Sequence, residues 1–278
     1  MAHLYLVGTP IGNLEDMTFR AIRTLQEVDM IACEDTRVTK KLCHHFNIET
    51  PLKSYHEHNK AQMTEALITI MEEGRDIALV SDAGLPLISD PGYELVVRAR
   101  EVGIHVVPIP GANAGLTALM ASGLPSFTYT FLGFLPRKAR EKLELLQVRM
   151  FQESTLVLYE SPFRVKDTLQ AIAEVDPNRR VTLGRELTKK FEQIETASVK
   201  DLVDRLDDTI PLKGEFVVLI EGAAPQATTA WFEGLSIVEH VDHYVQQQMK
   251  PKQAIKQVAQ EREMSSKEVY NIYHGIDA

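Results

Sequence analysis

Two Gly/Pro-rich loops, each closing a short apolar run, constrain this chain more than any other feature. The first follows Leu4–Val7 and reads Gly8-Thr9-Pro10-Ile11-Gly12-Asn13. The second follows Ile77–Val80 and reads Ser81-Asp82-Ala83-Gly84-Leu85-Pro86, running on to Ser89-Asp90-Pro91-Gly92. A continuous apolar run that stops in Gly, Pro, Asp and Ser reads as a buried parallel strand ending at a loop. In open α/β sheets, ligands bind in the crevice outside such strand ends. Two loops of this kind point to one small-molecule pocket. A third, Pro108-Ile109-Pro110-Gly111-Ala112-Asn113-Ala114, sits between a strand and a helix N-terminus, and its small residues leave room for a ligand ring.

Strand-like runs at Leu4–Val7, Met30–Cys33, Ile77–Val80 and His105–Ile109 alternate with helical patterns. Those are Asp16–Val28, a helix opened by a capping box at Asn59-Lys60-Ala61-Gln62 and ending at Gly74, and Pro91–Val102. This order predicts a mainly parallel sheet with right-handed crossovers. The alternation restarts with strands at Phe127–Phe131, Thr155–Tyr159, Val181–Leu183 and Phe216–Ile220. The intervening helices are expected at Arg137–Met150, Phe163–Val175 and Val199–Leu206. The tail differs. Ile237–Gln248, Pro251–Arg262 and a helix opened by the capping box Ser265-Ser266-Lys267-Glu268 and running to Tyr273 resemble a helix-turn-helix module. The expected organisation is an N-terminal α/β domain over 1–123, a second α/β domain over 124–226, and a helical module over 237–278.

With 278 residues, the chain is long enough for two or three domains. No apolar run is long enough to span a membrane, and no signal peptide is expected at the N-terminus. The two cysteines, Cys33 and Cys43, make neither a disulfide framework nor a zinc spacing, so the cytoplasm is the expected compartment. A net charge of −9 argues against bulk electrostatic binding to nucleic acid, though not against local basic patches. The first loop lacks the G-x-G-x-x-G of a dinucleotide site, and no P-loop follows it.

The motifs V-G-T-P-I-G-N, A-C-E-D-T-R, Y-H-E-H-N, L-V-S-D-A-G-L-P-L-I-S-D-P-G and P-I-P-G-A-N-A together resemble the tetrapyrrole methylase superfamily. Within it, the chain resembles the ribosomal RNA small subunit methyltransferase I family. F-L-G-F-L-P-R at Phe131–Arg137, Y-E-S-P-F-R at Tyr159–Arg164, G-R-E-L-T-K at Gly184–Lys189 and G-E-F-V-V-L-I-E-G at Gly214–Gly222 extend the likeness along the whole chain. The third loop departs from it, with Gly111-Ala112-Asn113-Ala114 where the family often has Pro-Ser after the glycine. The resemblance implies a two-domain α/β fold, S-adenosylmethionine as methyl donor, and 2′-O-methylation of a cytidine in the decoding region of 16S rRNA. It further implies a homodimer; the expected partner is 16S rRNA, either within the 30S subunit or as naked RNA.

For that chemistry the cofactor is expected at Pro10, Asp82, Ala83, Gly84, Leu85, Asn113, Ala114 and Tyr159. A ribose 2′-hydroxyl is a poor nucleophile while protonated, so a base or a cation near the alkoxide should help. Glu34, Asp35, Arg37 and His56 follow strands whose ends should open on the crevice, with Lys189 facing them from the second domain. His56 and His58 have no third ligand at fixed spacing, so no metal is expected. RNA contacts are expected from Arg137, Lys138, Arg140 and Arg164 beside the cleft. Lys252, Lys256 and Lys267 are expected to add contacts from the terminal helices. Two other readings stay open: a methylase of a porphyrin-like small molecule, and a ligand-sensing regulator that binds DNA through its tail. The lysine-bearing tail disfavours the first. The short last helix, poor in groups for reading bases, disfavours the second.

Overall fold

The computed structural model describes residues 2–224 and 232–276. The expected end of the second domain at 226 and the last two residues of the terminal module lie outside them. The chain divides into two compact units, Met1–Ala223 and Ala224–Ala278.

The first unit holds two five-stranded sheets. The first sheet is built from β1 (His3–Val7), β2 (Met30–Cys33), β3 (Leu52–Ser54), β4 (Ile77–Val80) and β5 (His105–Ile109), in the order β3-β2-β4-β1-β5. All its neighbouring strands are parallel. Successive side chains of a strand point to opposite faces, and here both faces are covered. Val7, Ile31, Cys33, Ala78 and Val80 pack against Ala21 and Leu25 of α1 (Phe19–Glu27) and Cys43 of α2 (Thr36–His45). Leu4, Ala32, Ile77 and Leu79 pack on the other side against α3 (Lys60–Glu72) and α4 (Tyr93–Glu101). This double burial is why the strands read as unbroken apolar runs.

The second sheet has the order β6-β7-β10-β8-β9, from β6 (Tyr129–Gly133), β7 (Thr155–Glu160), β8 (Arg180–Arg185), β9 (Gln193–Ser198) and β10 (Phe216–Ile220). Only β6 and β7 pair in parallel; the other neighbours are antiparallel. Helices α6 (Ala139–Arg149), α7 (Val165–Val175) and α8 (Val199–Arg205) bury their apolar sides on one face. The other face receives Ala118 and Leu119 of α5 (Ala114–Ser122), together with Ile11 from the first loop. Ile11 therefore joins the first sheet's loops to the second sheet's core.

Some expected helix starts differ in position or in capping. The first helix is capped by Thr18, not Asp16, after a 3₁₀ turn at Leu14–Asp16. Asn59 makes no capping hydrogen bond, because its side chain accepts from the His56 N–H and donates to the Ser54 carbonyl. The helix expected from Pro91 begins at Tyr93, after Gly92 with φ +141°. Strand β9 escapes the pattern reading because it is half-buried along its whole length and carries few apolar residues.

The second unit is a three-helix cluster of α9 (Ile237–Gln246), α10 (Pro251–Glu261) and α11 (Ser266–His274) around Val241, Ile255, Val258 and Val269. Its first and last helices each open with a capping box, Ser236 with Glu239 and Ser265 with Glu268.

Candidate active site

The strand order β2-β4-β1-β5 brings four C-terminal strand ends side by side, and the loops that leave them are tied together. Thr9 and Gly84 exchange backbone hydrogen bonds of 2.8 and 3.1 Å, and the Thr9 hydroxyl donates to the Ser81 carbonyl. The Asp35 N–H, at the end of β2, donates to Asp82 Oδ1 at 3.1 Å. Gly8 and Gly111 meet backbone to backbone: a Cβ on Gly8 would lie 2.8 Å from the Gly111 Cα. A ligand-facing rim is thus fixed by the main-chain contacts Thr9–Gly84 and Gly8–Gly111, with the Thr9 and Asp82 side chains adding to them.

Two clefts open on this rim. The first, of about 290 Å³, is lined by Asp82, Ala83, Gly84, Leu85, Asn113, Ala114 and Tyr159, with Ile11, Asp90, Phe134, Leu187, Glu215 and Val217 among the others. Seven of the eight expected cofactor residues line it. The eighth, Pro10, lines the adjoining second cleft of about 340 Å³, with Gly12, Thr39, Lys41 and Lys189. Ile11, Asp82, Ala83 and Glu215 border both.

The first cleft suits a mostly apolar ligand carrying a few polar groups. Phe134 and Phe131 stand edge-on to the Tyr159 ring. Burial pushes the Tyr159 phenol up, while hydrogen bonds to the Gly115 backbone and the Asn113 side chain work the other way. The Asn113 side-chain Oδ1 caps α5 by accepting from the Leu116 N–H. Glu160 lies beneath, its side chain buried and held by the Ser161 N–H, the Thr168 hydroxyl and Arg164. At the rim, burial and then the charges of Glu34 and Asp82 raise Asp90 to about 6. Burial also raises Glu34, with Asp82 adding to the shift and His56 opposing it.

In the second cleft Lys189 is held in place. Its Nζ donates to Glu186 Oε1 at 2.9 Å and to Glu215 Oε2 at 3.0 Å. Its methylene stem lies against Gly12. Burial works against the ammonium, yet the hydrogen bonds outweigh it and the pKa stays above the usual lysine value. Glu186 has φ +51° and Thr188 φ +66°, so the segment carrying Lys189 is bent through a conformation L-residues rarely adopt.

The other expected groups are placed elsewhere. Arg37 does not reach either cleft: its side chain is 87% exposed and grips Asp35. That grip and the Arg37 N–H hold Asp35, the cap of α2, at about 2. His56 packs against His58 with ring centroids 5.9 Å apart. Among the described residues no cluster of His, Cys, Asp or Glu could hold a metal ion. Arg164 turns inward, donating to the Leu135 and Pro136 carbonyls, so it fastens the loop after β6 and does not stand free for RNA. Lys138 and Arg140 are exposed but paired along their helix with Glu141 and Glu144. Arg137, Lys252, Lys256 and Lys267 are exposed. Sequence reasoning missed Glu215, whose position just before β10 was the available signal.

Two sheets bridged by a loop, with a cleft at the parallel strand ends, define a two-sheet α/β protein with a candidate ligand site. The family model for tetrapyrrole (corrin/porphyrin) methylases matches residues 3–203. Uroporphyrin-III-C-methyltransferase from Thermus thermophilus shares the fold, with TM-score 0.54 and 22% identity over 79% of this chain and 94% of that one. Diphthine synthase does likewise, with TM-score 0.58 and 11% identity over 79% and 90%. Full-length relatives are far nearer. "Ribosomal RNA small subunit methyltransferase I" of Halalkalibacterium halodurans is 53% identical, with 98% of this chain and 94% of that protein aligned. The Bacillus subtilis protein of the same name is 48% identical over 99% and 94%, and that of Synechocystis sp. 42% over 100% and 99%. The chain belongs to the ribosomal RNA small subunit methyltransferase I family.

Proposed function

We propose that the protein is an S-adenosylmethionine-dependent methyltransferase acting on the ribose 2′-oxygen of a cytidine in the decoding region of 16S rRNA. The observation that carries this is the pair of clefts sharing a wall at Ile11, Asp82, Ala83 and Glu215, in a chain 42–53% identical to relatives named "Ribosomal RNA small subunit methyltransferase I".

The first cleft fits the donor. It offers the Gly84 backbone, where a Cβ would meet Ile11 Cγ2 at 3.4 Å. It also offers the Asp82 carboxylate for amine or hydroxyl groups, and Leu85, Phe134, Leu187 and Val217 to exclude water. When bound, S-adenosylmethionine supplies a methyl group already activated on a sulfonium. The protein's share of the work is alignment and charge. Placement of the ribose oxygen to within about 3–3.5 Å of the methyl is the usual near-attack condition. Lys189 Nζ, oriented by two carboxylates, stabilises negative charge as it develops on that oxygen. Glu215, at the border of both clefts, accepts the hydroxyl proton on its carboxylate.

The substrate is rRNA within the 30S subunit, and the cytoplasm is its place of action. No helix among the described residues is long and apolar enough to cross a membrane. A homodimer fits the open edge strand β6, where Tyr129 and Phe131 are exposed, and Met120 of α5, which is 83% exposed.

The test is methylation of 30S subunits from cells lacking this gene, followed by mass-spectrometric mapping of ribose methyl groups. One new 2′-O-methylcytidine in the decoding region is expected. Transfer to a porphyrin and none to 16S rRNA would overturn the assignment.

A further inference from the structure

Helix α2, Thr36–His45, carries Arg37, Lys40, Lys41, His44 and His45 and no acidic residue, in a chain whose net charge is −9. Its buried side is Thr39 and Cys43, packed toward the first sheet. The five basic side chains are all exposed. Arg37, Lys40, Lys41 and His44 follow at helical neighbour spacing and so form one stripe about 10 Å long. Several surface cations elsewhere are matched by acids: Lys60 by Glu57 and Glu94, Arg98 by Glu65 and Glu101, Arg205 by Glu195. Among the described residues, Lys40 and Lys41 take part in no ion pair.

Position gives the stripe its meaning. One flank of α2, with Val38, Thr39, Lys41 and Leu42, walls the cleft that holds Lys189. The other flank, with Arg37, Lys40 and His44, lines an open hollow of about 650 Å³ whose acidic member is Glu49.

Resting on the rRNA reading above, we infer that the exposed stripe of α2 is a docking surface for the RNA backbone next to the target nucleotide, with Lys40 and Lys41 on its phosphates. Such contacts set register and orientation without reading bases. The cations on this stripe flank the Lys189 cleft, so they add a point of attachment beside it.

The test is filter binding of unmodified 30S subunits across a range of KCl at fixed magnesium. It compares wild type, Lys40→Ala/Lys41→Ala, and a control pair Lys166→Ala/Lys200→Ala of equal charge change on α7 and α8. Losing two phosphate contacts lowers the slope of log affinity against log salt by about 1.5. The expected result is that shallower slope and a Kd raised about tenfold near 0.1 M salt. Unchanged S-adenosylmethionine affinity by calorimetry and an unchanged circular dichroism spectrum show that the variant is folded. In turnover, KM for subunits rises and kcat stays near wild type. A lysine pair that behaves like the control, while wild type binds with a steep salt slope, overturns the docking surface alone. A wild type without salt-dependent binding to subunits overturns the rRNA reading on which it rests.

Discussion

The stem of Lys189 occupies the space where a Cβ on Gly12 would have to be. Gly12 has φ +154°, so a side chain there is strained as well as obstructed. Alanine at 12 should push the lysine off its two carboxylates and leave the sheets intact. Single-turnover methylation at saturating donor and subunits is expected to fall on the order of a hundredfold for Gly12→Ala, from misplacement, and for Lys189→Ala, from loss of an oriented charge. Rates near wild type for both would mean that alignment alone carries the reaction.

Blocking the donor cleft needs a residue whose backbone tolerates the change. Gly84→Val, the obvious choice from sequence, is unsuitable because Gly84 has φ +80° and bridges to Thr9. Ala83 lines both clefts without that constraint. Ala83→Leu should abolish donor binding in calorimetry, while the melting temperature stays within a degree or two of wild type.

Asp90 gives the rim a pH signature. Its folded-state pKa, about 6, exceeds the ordinary 3.8, so the folded protein holds this proton more tightly than the unfolded chain. The resulting stabilisation is fully present below about pH 3.8 and is lost as pH rises through about 6. Asp90→Asn should therefore melt a few degrees higher than wild type at pH 8, with the gap closing as pH falls below 4. Thermal scans from pH 3.5 to 8 check this. A gap that is the same at every pH would show that Asp90 carries no elevated pKa.

Thr168 relays between two buried charges. Lys142 Nζ donates to its hydroxyl at 3.1 Å, and that hydroxyl donates to Glu160 Oε2 at 2.8 Å. Valine keeps the shape and removes both bonds. A loss of about 1.5–3 kcal/mol is expected for hydrogen bonds to charged groups. Calorimetric unfolding should place the transition roughly 4–8 °C lower.

The terminal unit tests separately. A chain ending before Ile237 should bind S-adenosylmethionine like the full protein and lose most of its affinity for 30S subunits. Full-rate methylation by the shortened chain at low enzyme concentration would deny the terminal helices a role in RNA attachment.

What could be read in advance follows the physics of each segment. Strands buried on both faces advertise themselves, so Ile77–Val80 and the loop after it led directly to Asp82, Ala83 and Gly84. Small residues before a helix did the same for Asn113 and Ala114. Residues acting across the chain gave no local sign. Glu215 acquires its place only when β10 pairs with β7 and β8. Arg164 looks like a free cation in sequence; its exclusion from the clefts depends on the Leu135 and Pro136 carbonyls with Glu160. The Arg37–Asp35 pair, two residues apart, was legible in sequence as the alternative to a catalytic role.

The contact between Gly8 and Gly111 limits how this site can drift. Each glycine's missing side chain makes room for the other's main chain, so enlarging either one cannot be answered by shrinking its neighbour. The usual compensating pair of mutations has no solution there. Residues around the donor cleft remain free to change with the substrate, while the junction of the first and third loops stays a fixed point about which such divergence must turn.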